Sequence, residues 1–137
     1  DTARLRCGLS EKLQVAQKNI HAYVFGEHGD SSFVPWSCAS VAGVPMEEYT
    51  KIVNSYGKGL ADFDEAAMEE YVHKSGGEII KRKGATFYGV ANSVVDVCEA
   101  LMGAQDLVTV VSSMMHGEYG VDDVCTSCLK SGKVERA

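Results

Sequence analysis

Helical and strand-like patterns follow one another along this 137-residue chain without the strict strand–helix–strand alternation that a doubly wound parallel sheet needs. Leu5, Leu9 and Leu13 recur four apart, one apolar stripe that predicts a helix starting at or before Asp1 and fading near Val15. Residues 21–25 and 33–41 read as two β-runs. The seven residues between them, 26–32, are polar and punctuated by Gly26 and Gly29, and such a connection is where chemistry sits. A short helix is predicted over 47–56, then a loop over 57–62. Met68, Tyr71, Val72, Ile79 and Ile80 share one face of a long helix, in which Gly76 and Gly77 each cost about 1 kcal/mol relative to alanine. Lys81, Arg82 and Lys83 suit the negative end of its dipole, and Gly84 supplies a left-handed stop. The strongest helical pattern covers 86–102, with Phe87, Val90, Val94, Cys98, Leu101 and Met102 on its apolar side and Gly103 ending it. Two further β-runs, 107–111 and 124–129, are joined through Gly117 and Gly120. The predicted class is α+β, mixed helices with antiparallel sheets. No internal repeat occurs, and no GxGxxG phosphate loop lies between a strand and a helix.

With 45% apolar residues the chain can bury a core without staples, so residues 1–137 are expected to form one domain. A net charge of −6 offers no basic field for phosphate backbones, which argues against a nucleic-acid partner. No apolar run approaches the roughly 20 residues of a membrane span, and the first six residues lack the order of a signal peptide. No membrane partner and a cytoplasmic location are the expectations. Five cysteines form an odd set without framework spacing, which suits a reducing compartment. Cys125 and Cys128 form the one close pair; zinc needs four ligands and no second pair exists, while the surrounding alternation reads as strand. Asp1 is not a methionine, and the helical pattern starts at once with no lead-in. The expectation is a piece of a longer protein, truncated at both ends.

Acid/base chemistry on an anionic substrate needs an acceptor titrating near neutrality, a group to orient it, and a cationic clamp on the substrate. His28, in the polar turn, suits the first task. A carboxylate on its other ring nitrogen would fix the tautomer, and an arginine fork matches a carboxylate with two parallel bonds. Asp1 and Arg4 lie three apart on one helix face, so a contact between turn and helix would unite all three. The plainer alternatives stay open: Asp1 as a helix cap, Arg4 as a solvated helix residue, His28 as a turn residue. A metal site of His21, Glu27, His28 and Asp30 is a further, less favoured reading, with no metal expected.

Asp1-Thr2-Ala3-Arg4-Leu5-Arg6, then Gly26-Glu27-His28-Gly29-Asp30-Ser31-Ser32 and Val34-Pro35-Trp36-Ser37, resemble the substrate domain of the L-lactate and malate dehydrogenase family, and their separation matches too. Ile79-Ile80-Lys81-Arg82-Lys83-Gly84-Ala85-Thr86, Val111-Ser112-Ser113 and Gly117-Glu118-Tyr119-Gly120 extend the resemblance through nearly the whole chain. The resemblance implies a C-terminal-domain-like α+β fold and NAD as cofactor. It also implies a small 2-hydroxy or 2-oxo acid as substrate and a homo-oligomer, tetramer or dimer, when full length. It makes His28 the catalytic acid/base, Asp1 its orienting partner and Arg4 the carboxylate clamp. Thr86 corresponds to a residue at the substrate pocket and Val90 to an apolar contact with the nicotinamide ring, against the plainer readings of a helix cap and a core valine. Glu27 and Thr86 look like the lactate branch rather than the malate branch. Arg6 and His21 match the positions that bind fructose 1,6-bisphosphate across a subunit interface in bacterial enzymes activated by it; the alternative is a surface arginine and a strand-start histidine. Arg6 projects away from Arg4 and cannot share its clamp.

Relative to the family, the dinucleotide-binding domain with its lid arginine is absent, and so are the final strand and helix. The segment 125–136 is shorter than the family's and lacks its proline. The isolated chain is therefore expected to be inactive, since hydride transfer needs the cofactor held against the substrate. A non-catalytic oligomerisation or interaction module is the alternative from another class.

Overall fold

The computed structural model describes residues 1–56, 63–103 and 108–130, and of 127–130 the backbone alone. The predicted loop at 57–62, Leu107 of the 107–111 run and the tail beyond 130 lie outside the described residues. The chain divides into two compact units, Asp1–Ser75 and Gly76–Ala137.

In the first unit the leucine stripe forms helix α1 (Thr2–Leu13), with Leu5, Leu9 and Leu13 buried as the spacing predicts. Gly8 permits a close approach: a Cβ there would stand 2.8 Å from Tyr71 Cε1 and 3.0 Å from Met68 Sδ. A small antiparallel sheet follows, in the order β1 (Ile20–His21), β2 (Ser40–Val41) and β3 (Val44–Pro45). Ala42 and Gly43, both at positive φ, close the tight β2–β3 turn. Helix α2 (Met46–Ser55) follows, and helix α3 (Glu65–Lys83) begins in this unit. Leu5, Leu9, Ile20, Val41, Met46 and Val72 are each within 2% of complete burial and make up the centre of the core.

The expected β-runs at 21–25 and 33–41 are corrected to much shorter pieces. After His21 the backbone runs along α1 instead of along a strand: Thr2 Oγ1 accepts from Val24 N at 3.1 Å, and Arg6 Nε donates to the Ala22 carbonyl at 3.1 Å. Helix side chains thus take hydrogen bonds that a neighbouring strand would otherwise make. In the second run Pro35 has no N–H to give a ladder, and Trp36–Cys38 coil into a 3-10 turn. What remains of the pairing around the polar turn is a single antiparallel bridge, Phe25 with Phe33.

In the second unit α3 ends at Lys83 with its three cations, and Gly84 takes φ 81 as a stop residue should. Gly76 and Gly77 do not break the helix. Helix α4 runs Tyr88–Met102, so the predicted start at Thr86 is two residues early. Strands β4 (Thr109–His116) and β5 (Asp122–Lys130) form an antiparallel hairpin through Gly117 and Gly120, both at positive φ. Both strands outrun their predicted bounds because Ser112 and Ser113, poor apolar markers, still pair with Ser127 and Thr126. Cys125 and Cys128 sit in β5. The predicted apolar side of α4 is not a buried face: Val90, Val94, Leu101 and Met102 are each more than half exposed, uncovered by the described residues.

A carboxylate joined to an imidazole and a guanidinium

Two features of the first unit bring the ends of the candidate site together. The start of α1 is tied to residues 22–24 by the Thr2 and Arg6 bonds, and the cationic head of Arg6 lies 4.7 Å from the Tyr23 ring centroid. The chain then enters the polar turn beside the first residue of the helix. Gly26 takes φ 92, and a Cβ there would stand 3.2 Å from both the Ser31 carbonyl oxygen and Ser32 Cα. Glycine is what lets the turn close so tightly. Inside it Gly29 N donates to the Glu27 carbonyl at 2.8 Å and Ser32 N to the Gly29 carbonyl at 3.2 Å, while Phe25 and Phe33 exchange two backbone bonds at its base.

The Asp1 carboxylate joins the three expected residues. Oδ1 accepts from Arg4 Nη1 at 2.7 Å, and Oδ2 lies 2.5 Å from His28 Nδ1. Asp1 is the N-cap residue of α1, yet its side chain makes no capping bond, so the plain cap reading fails for the carboxylate. Its side chain is 14% exposed, that of Arg4 28% and that of His28 80%. A largely buried anion thus holds one cation beside it and presents an imidazole to solvent. With Nδ1 on the carboxylate, Nε2 carries no hydrogen bond among the described residues. The remaining guanidinium N–H groups of Arg4 are likewise unpaired there.

Arg6 and His21, in the same unit, make their contacts outside this cluster. Arg6 points to Ala22 and Tyr23, and His21 is an exposed residue of β1, one residue before the carbonyl that Arg6 grips. Thr86 is half-buried ahead of α4 and makes no cap, since Phe87 is the N-cap residue; Val90 is in the helix's first turn and 59% exposed. Both belong to the second unit. Among the described residues no three histidine, cysteine, aspartate or glutamate side chains gather as a metal site requires. An open cleft of ≈ 580 Å³ between Trp36, Phe63 and the start of α3 is lined by Asp64, Glu65 and Glu69, an acidic wall unfavourable to anions.

Sequence reasoning missed a second polar tie. Ser32, 5% exposed, meets His73 of α3, whose Nε2 lies 2.9 Å from its hydroxyl and 3.1 Å from its carbonyl. One turn earlier on α3, Glu69 Oε1 accepts from Trp36 Nε1 at 2.8 Å and from Val34 N at 3.3 Å. The i, i+4 spacing of Glu69 and His73 was visible, but nothing in it named a partner more than 30 residues away.

The first unit of this α+β chain thus sets an imidazole and a guanidinium on the two oxygens of one carboxylate. Residues 1–134 match the family described as lactate/malate dehydrogenase, alpha/beta C-terminal domain, and the chain belongs to that family. The L-lactate dehydrogenase of Acetivibrio thermocellus is 40% identical over 127 residues, covering 93% of this chain and 39% of that enzyme. That of Shouchella clausii is 43% identical over 125 residues, covering 91% and 37%. Among solved structures, the minor L-lactate dehydrogenase of Enterococcus mundtii superposes with a TM-score of 0.83 at 32% identity over 96% of this chain and 41% of that one. The malate dehydrogenase of Cryptosporidium parvum does so with 0.82 at 26%, over 95% and 40%. The chain spans about two fifths of the length of the curated relatives it matches.

Proposed function

We propose that this chain is the substrate-binding, acid/base part of an NAD-dependent L-2-hydroxy-acid dehydrogenase, with lactate and pyruvate the favoured pair, and that a separate dinucleotide-binding domain completes it. The observation that carries this reading is the Asp1 carboxylate bridging His28 Nδ1 and Arg4. In the oxidation direction His28 Nε2 takes the proton of the substrate hydroxyl, and in the reverse direction it returns that proton to the 2-oxo oxygen. Asp1 holds the ring in the Nδ1–H tautomer and stabilises the imidazolium once Nε2 is protonated. Arg4 holds the substrate carboxylate with the N–H groups that Asp1 leaves unused.

The exposed, apolar Val90 fits the face of a nicotinamide ring. The described residues include no glycine-rich strand-to-helix turn for the phosphates of NAD, so those are assigned to the separate domain. When bound, the cofactor supplies the hydride acceptor. On this reading the isolated chain does not oxidise NADH, and the whole enzyme is a cytoplasmic homo-oligomer; no described helix is long and apolar enough to cross a membrane.

The test is a fusion of the chain, in frame at Asp1, behind the preceding portion of the Acetivibrio thermocellus enzyme. Pyruvate-dependent NADH oxidation is expected, with His28→Gln lowering kcat by roughly 10²–10⁴-fold, the usual contribution of a positioned acid/base group. A folded, NADH-binding fusion that does not turn over pyruvate, or an undiminished kcat in the variant, would defeat the proposal. The same fusion tests Arg6 and His21 as a site for fructose 1,6-bisphosphate. Adding the bisphosphate should shift the pyruvate saturation curve, and a curve unmoved by it removes that assignment.

A further inference from the structure

The imidazole of His28 is 80% exposed, so packing does not hold it, and its one hydrogen bond among the described residues is the bond to Asp1. Its position therefore depends on the backbone of the turn. The paired Phe25 and Phe33 close the base of that turn, which leaves Ser32, its last residue, as the point where a second element grips it. His73 Nε2 lies 3.1 Å from the Ser32 carbonyl, which only accepts, so the Nε2–H tautomer is the one that satisfies this contact. The same N–H is shared with the hydroxyl at 2.9 Å.

The Nε2–H tautomer and the burial of Ser32 both argue against a nucleophile-and-base reading of the pair. A nitrogen that already donates cannot take the serine proton, and a hydroxyl in a residue 5% exposed is closed to substrate. What the pair does is fasten the turn to α3, and Glu69 on the same helix face fastens the next residues through Val34 N and Trp36 Nε1.

Resting on the reading of His28 as acid/base, we infer that His73 is a positioning residue: its donation to Ser32 holds the turn so that the His28 ring keeps Nδ1 on the Asp1 carboxylate and Nε2 directed outward. The tautomer of His28 reports this directly, and loss of general stability alone does not move it.

In the ¹⁵N-labelled full chain, at a pH about two units above histidine's ordinary pKa of ~6.5, two-bond ¹H–¹⁵N spectra distinguish the two ring tautomers. His28→Gln identifies the His28 signals among the four histidines. The wild-type ring is expected in the Nδ1–H form, a preference that Asp1→Asn removes. His73→Ala is expected to remove it too, leaving the tautomer mixture of a free imidazole, whereas His73→Gln, whose amide nitrogen reaches the same carbonyl, restores it. If His73→Ala does not fold, His73→Leu keeps the volume without the donor and carries the same test. A folded His73→Ala or His73→Leu chain that keeps the Nδ1–H form overturns the positioning role and leaves the acid/base reading intact. A wild-type ring with no such preference sinks the acid/base reading itself, and the positioning role with it.

Discussion

Replacing Gly26 by alanine tests how the turn that carries His28 is built. At φ 92 an L-residue enters a region it rarely adopts, and its Cβ would stand 3.2 Å from the Ser31 carbonyl oxygen and from Ser32 Cα, both backbone atoms with no rotamer to swing aside. The backbone conformation costs roughly 1–2 kcal/mol, and relieving the contact by a small distortion costs on the order of another 1 kcal/mol. The expected loss is about 2–3 kcal/mol. Trp36, the sole tryptophan, reports the first unit, so its fluorescence during heating reads the relevant transition. For a unit of this size 2 kcal/mol lowers the midpoint by roughly 8–16 °C. A folded Gly26→Ala chain whose midpoint moves by less than about 2 °C, well under that range, would refute the reasoning, since the turn would then tolerate a side chain where none is meant to fit.

Other perturbations have equally definite outcomes. Leu9→Ala empties a fully buried position of the α1 stripe and is expected to cost about 2–5 kcal/mol in urea unfolding; less than 1 kcal/mol would mean the stripe is not the core. Glu69→Ala strands Trp36 Nε1 and Val34 N without their acceptor, so a loss of about 1–3 kcal/mol together with a changed Trp36 emission is expected, and an unaltered spectrum would contradict the contact.

How much of this was legible beforehand depended on whether the determinant was local. Leu5, Leu9 and Leu13 declare α1 because helical period and burial coincide there, and Lys81 to Gly84 declare the end of α3 because cations and a positive-φ glycine act within one turn. The β-runs failed where tertiary partners intervened. Residues 22–24 find their hydrogen bonds on Thr2 and Arg6, whose side chains belong to a helix, and no strand propensity reports that. Pro35 was a visible warning against a strand over 33–41 that the apolar pattern outweighed. Asp1, Arg4 and His28 were legible as chemistry and as a matched set of motifs, but their junction, 27 residues apart in sequence, is a product of the fold. His73 and Glu69 were illegible, because a histidine and a glutamate on a helix read as solvated surface until the fold supplies Ser32, Val34 and Trp36.

The central claim is that one carboxylate holds the acid/base imidazole while the neighbouring guanidinium holds the substrate. A crystal structure of the fusion with NADH and a non-reducible pyruvate analogue measures this most directly. The prediction is His28 Nε2 within hydrogen-bond reach, about 2.6–3.2 Å, of the analogue's carbonyl-like oxygen, with its carboxylate on Arg4 and Asp1 still on Nδ1. An analogue seated with its carboxylate on another residue, and no atom within one water of Nε2, would contradict it.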